Sequence, residues 1–454
     1  MSELKAGFAR VNITPMLGIT MAGYYETRYA EGTLDELELT ALAVADGETT
    51  ALLISMDLVR VARELALSLK EAIGQATGVP QDCIYIHAIH THTGPTPMPD
   101  STDPLVPEYL KLLTYRAVAA SKAALEDLKP AKVGWSVGKA PNVAFIRRFR
   151  MKDGSIRTNP GVNNPEIAGP IGEVDDRVNV LRFDREGGKT LVLVNFGNHP
   201  DTIGGNRFSA DWPGFMRRCV EQALPECSCV FFNGLEGDVN HINVFPKPTD
   251  RQPAAIPAEK YHFSRYVGRA MAGTVLQEYD KVTYMEDVTV RCGRKTIYVP
   301  TNMPDPADLP EAHRLNEMYV NGRMDELHEM FPGMQFATVV GAANRMVALE
   351  NGPEYFEMDL TAVAIGSAVL IGYPGEPFTA VGTAIKETEG WDLILPTCMT
   401  GGAHGYFPTM DAYLEGGYEV ATSRLKAGVA ELMVEQGKAL LGTLVGESCG
   451  TGEK

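Results

Sequence analysis

Residues 87–97 read HAIHTHTGPTP and hold three of the chain's nine histidines within six positions. They close an apolar, β-leaning run, CIYIHAIHTHTG at 83–94. Side chains two apart on a strand share a face. His90 and His92 are therefore expected to project together as the strand ends, with His87 on the opposite face. Thr91 lies between them, and Gly94-Pro95 breaks the strand. Two imidazoles at the C-terminal rim of a strand suit a metal site or an acid–base pair. That rim is where open α/β sheets bind ligands. The plain alternative is a pair of satisfied core or surface histidines.

Other strand-like runs end in the same way. LVLVNFGNHP delivers His199 just before Pro200. LIGYPGEPF turns at Pro374-Gly375 to Glu376, a carboxylate placed either to face a helix N-terminus or to bind a cation. FFNGLEGDVNHIN runs into glycines, which suit close backbone approach, and is followed by Asp238 and His241. Residues 401–423 gather Tyr406, Tyr413 and Tyr418 among five glycines, a placement that core packing explains poorly. A phenol is a hydrogen-bond donor, and beside a cation it can become a ligand. Two histidines, a carboxylate and an oxygen donor make a four-ligand zinc set. Such an ion lowers the pKa of water toward ~7. Spacing alone makes these residues candidates and does not select four of them.

The elements that must position them alternate along the chain. TTALLISMDLV (49–59) reads as a strand, ARELALSLKEAIGQATG (62–78) as a helix stopped by glycine, and 83–94 as a second strand. That order predicts a parallel pair with its loops at one rim. A helix at 107–129 and a strand at 132–138 follow. Hairpins are expected at Asp153-Gly154 and across DREGGKT, so the sheet is expected to be mixed. A helix at 211–224 and a strand at 227–238 come next, then a long helix over about 258–280. Residues 296–356 are rich in Pro, Asn and Met and read as an insertion or cap. Strands return at 357–376, and helices close the chain. The expected fold is α/β, with mixed β-sheets flanked by helices. A single catalytic domain over 1–445 and a flexible tail over 446–454 are expected.

Composition excludes some classes. The 454 residues are 44% hydrophobic and 22% charged, enough for a sizeable core. The net charge of −17 argues against a nucleic-acid partner. No run approaches the ~20 apolar residues of a transmembrane segment, and the first residues lack the pattern of a secretory signal. Cys227 and Cys229 form a C-x-C without a second pair, so free buried thiols in a reducing cytoplasm are expected rather than a zinc site.

Taken in order, AGFARVNITPMLGITMAGYY, ISMDL, HTHTGP, NFGNHP, SADWPG, NGLEGDVN, YPGEPF and GYFPTMDAYLEGGYE resemble the catalytic domain of the neutral (non-lysosomal, alkaline) ceramidase family. The resemblance covers residues ~6–425. It implies that His90, His199, Glu376 and Tyr406 bind Zn2+ and that His92 shuttles a proton without binding. It implies that Tyr418 hydrogen-bonds the reacting carbonyl. It also implies an arginine on that oxygen, for which Arg147 matches better than its neighbour Arg148. The reaction implied is hydrolysis of an N-acyl amide bond.

The chain also departs from the family. GDVNHIN stands where ceramidases carry GDVSPN-like sequence, so Asn240 replaces the serine and a serine nucleophile is not expected. Ceramidases also have a C-terminal sandwich domain and usually a secretory signal, neither of which is read here. A small-molecule amide or acyl substrate is therefore expected before ceramide itself. The same chemistry would serve an esterase or lactonase, and a non-catalytic binding protein of this fold is the rival from another class. A phosphodiesterase would call for two close metals and paired aspartates, in which this rim is poor. Residues 296–356 would shape the pocket or pair copies into a homo-oligomer, and the sequence does not choose.

Overall fold

A computed structural model describes residues 3–247 and 261–445. Its largest sheet has nine strands. Eight run in the order Cys227–Asn233, Thr190–Phe196, Arg177–Arg185, Lys129–Lys139, Lys5–Asn12, Glu38–Ala45, Thr50–Met56 and Ile84–Ala88. The ninth, Thr283–Tyr284, pairs with Lys129–Lys139. The middle pairs are antiparallel, and the outermost pair at each end is parallel. Each parallel pair has its own crossover helix, Asp211–Ala223 at one end and Arg63–Thr77 at the other. The second of these stops at Gly78, whose φ of 80° is open to glycine and whose N–H caps Gly74 O.

The strands near the site are apolar throughout because both faces are covered. On Thr50–Met56, Leu52, Ile54 and Met56 pack with helical residues such as Leu69 and Leu113. Ala51 and Leu53 pack instead with Ile365, Leu370 and Leu395 of a second sheet. That sheet has the order Val290–Pro300, Tyr355–Ile365, Ala368–Gly372 and Leu393–Thr397. Its last two strands are parallel and joined through the helix Thr379–Lys386. The class is the expected mixed α/β. The hairpins expected at Asp153-Gly154 and across DREGGKT are both present.

Between Val290–Pro300 and Tyr355–Ile365, which pair along their whole length, lie the helices Leu309–Val320, Met324–Met330 and Met334–Leu349. They carry an apolar cluster of their own around Leu315, Leu327, Phe336 and Val340. Residues 296–300 and 355–356, within the segment read as an insertion, are strand.

The strand expected over 227–238 ends at Asn233, and the one expected over 83–94 is shorter too. The latter ends at Ala88, not at residue 94, and His90 has a φ of 72°. The period-two reason for pairing His90 with His92 therefore does not apply, and a loop brings them together. The long helix is seen over His262–Tyr279; residues 258–260 and the tail 446–454 lie outside the described residues. The six described cysteines, Cys227 and Cys229 included, are free thiols. No helix among the described residues is long and apolar enough to cross a membrane.

Candidate metal centre

The C-terminal ends of the parallel strands meet at one rim, and the loops leaving them build the site. His199 follows the strand Thr190–Phe196, and Glu236 follows its neighbour Cys227–Asn233. Both lie three residues beyond the registered pair Phe196 and Asn233, so strand pairing sets them side by side. Glu376 and Tyr406 are themselves registered partners in a short parallel pair, and Glu376 N–H donates to Gly405 O at 2.8 Å. Glycine is needed where these loops touch. A Cβ on Gly237 would lie 2.3 Å from Glu376 O.

Two imidazoles converge on one carboxylate oxygen. His90 Nε2 is 3.4 Å from Glu376 Oε2, and His199 Nε2 is 3.3 Å from it. The other nitrogen of each ring is committed to backbone. His90 Nδ1–H donates to Val59 O at 2.8 Å, and His199 Nδ1–H to Val239 O at 2.9 Å. Carbonyls accept only, so the Nε2 lone pairs face the centre. Glu376 Oε2 has no hydrogen-bond partner although it is buried. His90, His199, Glu236 and Glu376 each offer a ligand atom, all within 4.8 Å of one another. These are the donors and the lone-pair orientation that a cation requires. Burial opposes a charge on His90, but Glu376 and Glu236 outweigh it and raise its pKa to about 9; a cation bound at Nε2 would displace that proton. Burial likewise opposes ionisation of Glu376, and His90 and His199 drive its pKa well below the usual range.

His92 sits against this group. Its Nε2 is 3.2 Å from His90 Nε2, and its Nδ1 is 3.7 Å from Asp201 Oδ1. Asp201 in turn accepts from the Tyr24 hydroxyl. Gly23, with a φ of 109°, lets the preceding loop press on His92, because a Cβ there would lie 2.8 Å from His92 backbone and side-chain atoms.

Arg147 is buried with Nε donating to Glu419 Oε1 at 2.8 Å and Nη2 to Gly237 O at 2.7 Å. Its Nη1 is 3.3 Å from His199 Nε2, and its guanidinium is 5.2 Å from the centre of the Tyr406 ring. Arg148 donates to Gly416 O at 2.8 Å, and its Nε lies 3.6 Å from Glu419 Oε2. The Tyr406 and Tyr418 rings are 5.6 Å apart, and Tyr418 is hydrogen-bonded to Tyr25. Burial first, then Glu376, hold the Tyr406 phenol protonated well above its usual range, so its use as a ligand needs a cation's field.

The structure thus gathers His90, His92, His199, Glu376, Tyr406, Arg147 and Tyr418 around one point. Other candidates lie outside it. Asp238 caps the helix Thr379–Lys386, accepting from Thr379 N–H at 2.7 Å. Asn240 donates to Asn159 Oδ1 at 2.9 Å. The His241 ring packs 5.2 Å from Phe263, and Tyr413 donates to Leu425 O. Sequence reasoning missed Glu236, Asp201, Tyr24 and Glu419. Glu236 had a signal, since it follows an apolar strand just as His199 does. Asp201 and Glu419 matter through partners distant in the chain and left none.

No family model matches the chain, and no curated protein matches it. Solved structures do, and two ceramidases are among them. The first is the neutral ceramidase from Pseudomonas aeruginosa, with a TM-score of 0.73 at 16% identity over 100% of this chain and 77% of that one. The second is a ceramidase complexed with C2, also at 0.73, with 15% identity over 100% and 78% of the two chains. The motif resemblance and the architecture agree, and the chain has the fold of neutral ceramidase.

Proposed function

We propose that the chain is a zinc-dependent hydrolase that cleaves an N-acyl amide bond. The observation that carries this reading is the convergence of His90 Nε2 and His199 Nε2 on Glu376 Oε2, at 3.4 and 3.3 Å, with both Nδ1–H groups committed to carbonyls. His90, His199 and Glu376 would hold the ion, with Tyr406 as an oxygen donor. Zinc there supplies Lewis acidity, which makes water nucleophilic near neutral pH.

The chain's own groups do the rest. His92 takes a proton from the attacking water and passes it to the leaving amine nitrogen. Arg147 Nη1 and the Tyr418 hydroxyl donate to the oxygen that gains charge at the acyl carbon. Each such donor is worth about 2.7–4 kcal/mol of barrier. Glu419 holds the guanidinium in place, and burial keeps bulk water from weakening these contacts. The helices between 301 and 354 reach the site through Tyr25, whose backbone oxygen accepts from Tyr319 and whose hydroxyl meets Tyr418. The substrate is an amide of ceramide-like type, an acyl group on an amine. The reducing cytoplasm suits the six free thiols.

The test is metal analysis of the purified protein together with a panel of N-acyl amides, esters and lactones. One zinc per chain and amide cleavage that depends on His92 are expected. Protein without stoichiometric metal, or a His92→Ala variant equal to wild type on every substrate, would end the proposal. Cleavage of esters or lactones but not amides would move the reading to that class.

A further inference from the structure

Glu236 has no place among the ligands implied by the family resemblance, yet it is fully buried within the cluster. The register of the parallel strands puts it beside His199, whose Nδ1 lies 3.0 Å from the Glu236 carbonyl oxygen. One of its carboxylate oxygens lies within 4.8 Å of the donor atoms of His90, His199 and Glu376. Neither oxygen has a hydrogen-bond partner of sound geometry. The Cys398 thiol nearby is a weak donor.

A buried carboxylate is paired, neutralised or bound to a metal. No side chain gives Glu236 a hydrogen bond of sound geometry, and Arg147, whose charge reaches the group, is already bound to Glu419 at 2.8 Å. Two carboxylates, Glu236 and Glu376, face a space lined by histidine lone pairs. One divalent cation balances both negative charges.

We propose that Glu236 is a second carboxylate ligand of the metal, binding beside His90, His199 and Glu376. This rests on the metal reading of the site given above. Glu236 then acts on metal affinity, and its removal weakens binding by more than the ~10–100-fold expected for a residue that only supports a ligand.

The experiment uses the full chain stripped with a chelator and titrated with zinc alone, read by calorimetry or competition with a chromophoric chelator. Melting temperatures are taken with and without zinc. Wild type, Glu236→Gln, Glu236→Ala and His199→Ala are compared, each checked for native circular dichroism. Both Glu236 variants are expected to lose affinity by more than ~100-fold and to lose most of the zinc-induced rise in melting temperature. Without zinc, Glu236→Gln is expected to melt at or above wild type, because it keeps the shape of the side chain and can never carry a buried charge. Wild-type affinity in both Glu236 variants, with binding lost in His199→Ala, would overturn this inference and leave the metal reading standing. If wild-type protein itself binds no zinc, the metal reading falls and this inference with it.

Discussion

His92 Nε2 stands 3.2 Å from His90 Nε2, with the two rings edge to face. His90 Nδ1–H is held by Val59 O, which leaves Nε2 as the atom that faces His92 and the cluster. If His90 held the cation through that atom, His92 would be left to exchange protons with substrate. His92→Ala is accordingly expected to lower kcat by about 10²–10⁴-fold while zinc affinity changes little. His90→Ala is expected to lose the metal. Metal content and kcat measured on both variants check this, and loss of zinc in His92→Ala would make His92 a ligand instead.

Asp201 faces His92 Nδ1 at 3.7 Å and is anchored by Tyr24. That geometry makes it the group that orients the ring when His92 is protonated. Asp201→Asn is expected to reduce kcat by about tenfold or more, by analogy with other outer-shell partners, with KM and metal content near wild type. An Asp201→Asn variant with unchanged kcat would show that the ring is oriented by packing alone.

Gly23 is a steric test of the same ring. Gly23→Ala must move the loop off His92, since the new methyl would sit 2.8 Å from it, at a φ of 109° that alanine rarely adopts. Activity is expected to fall with zinc still bound. Full activity in this variant would mean that the loop yields without disturbing His92.

Arg147 and Glu419 form a buried ion pair at 2.8 Å. Glu419 also accepts from Thr158 and faces Arg148 Nε at 3.6 Å, so Glu419→Ala, which strands Arg147, is expected to cost about 3–5 kcal/mol of stability and Arg147→Ala less. The double variant should cost less than the sum. Urea unfolding of the four proteins measures the coupling, and additive losses would show that the pair is energetically loose.

His87 is held neutral away from the metal cluster. Its Nδ1–H donates to Ser55 Oγ at 3.1 Å, and its Nε2 accepts from Asn233 N–H at 3.1 Å. Burial lowers its pKa to about 3, against an unfolded value near ~6.5. Between those values the unfolded chain binds the extra proton, so this contribution is whole above about pH 6.5 and drains as pH falls toward 3. Relative to His87→Gln, wild type should lose about 2 kcal/mol between pH 7 and pH 5. Parallel pH–stability curves for the two proteins would contradict this.

The linear sequence determined the parts whose signals are local. Apolar runs buried on both faces, the glycine stop at Gly78, the Asp153-Gly154 hairpin and the order of strands and helices all follow from neighbouring residues. So did the residues shed at strand ends, His199 and Glu376, because an apolar strand that ends at a sheet rim must leave its next polar side chain there. Tertiary structure decided what those residues meet. His90 and His92 converge through a loop with a left-handed backbone, not through strand periodicity. Glu236 joins His199 through the register of two strands, and Arg147 meets Glu419 across the fold. Such pairings depend on how distant segments pack, and the local pattern of either segment carries no trace of the other.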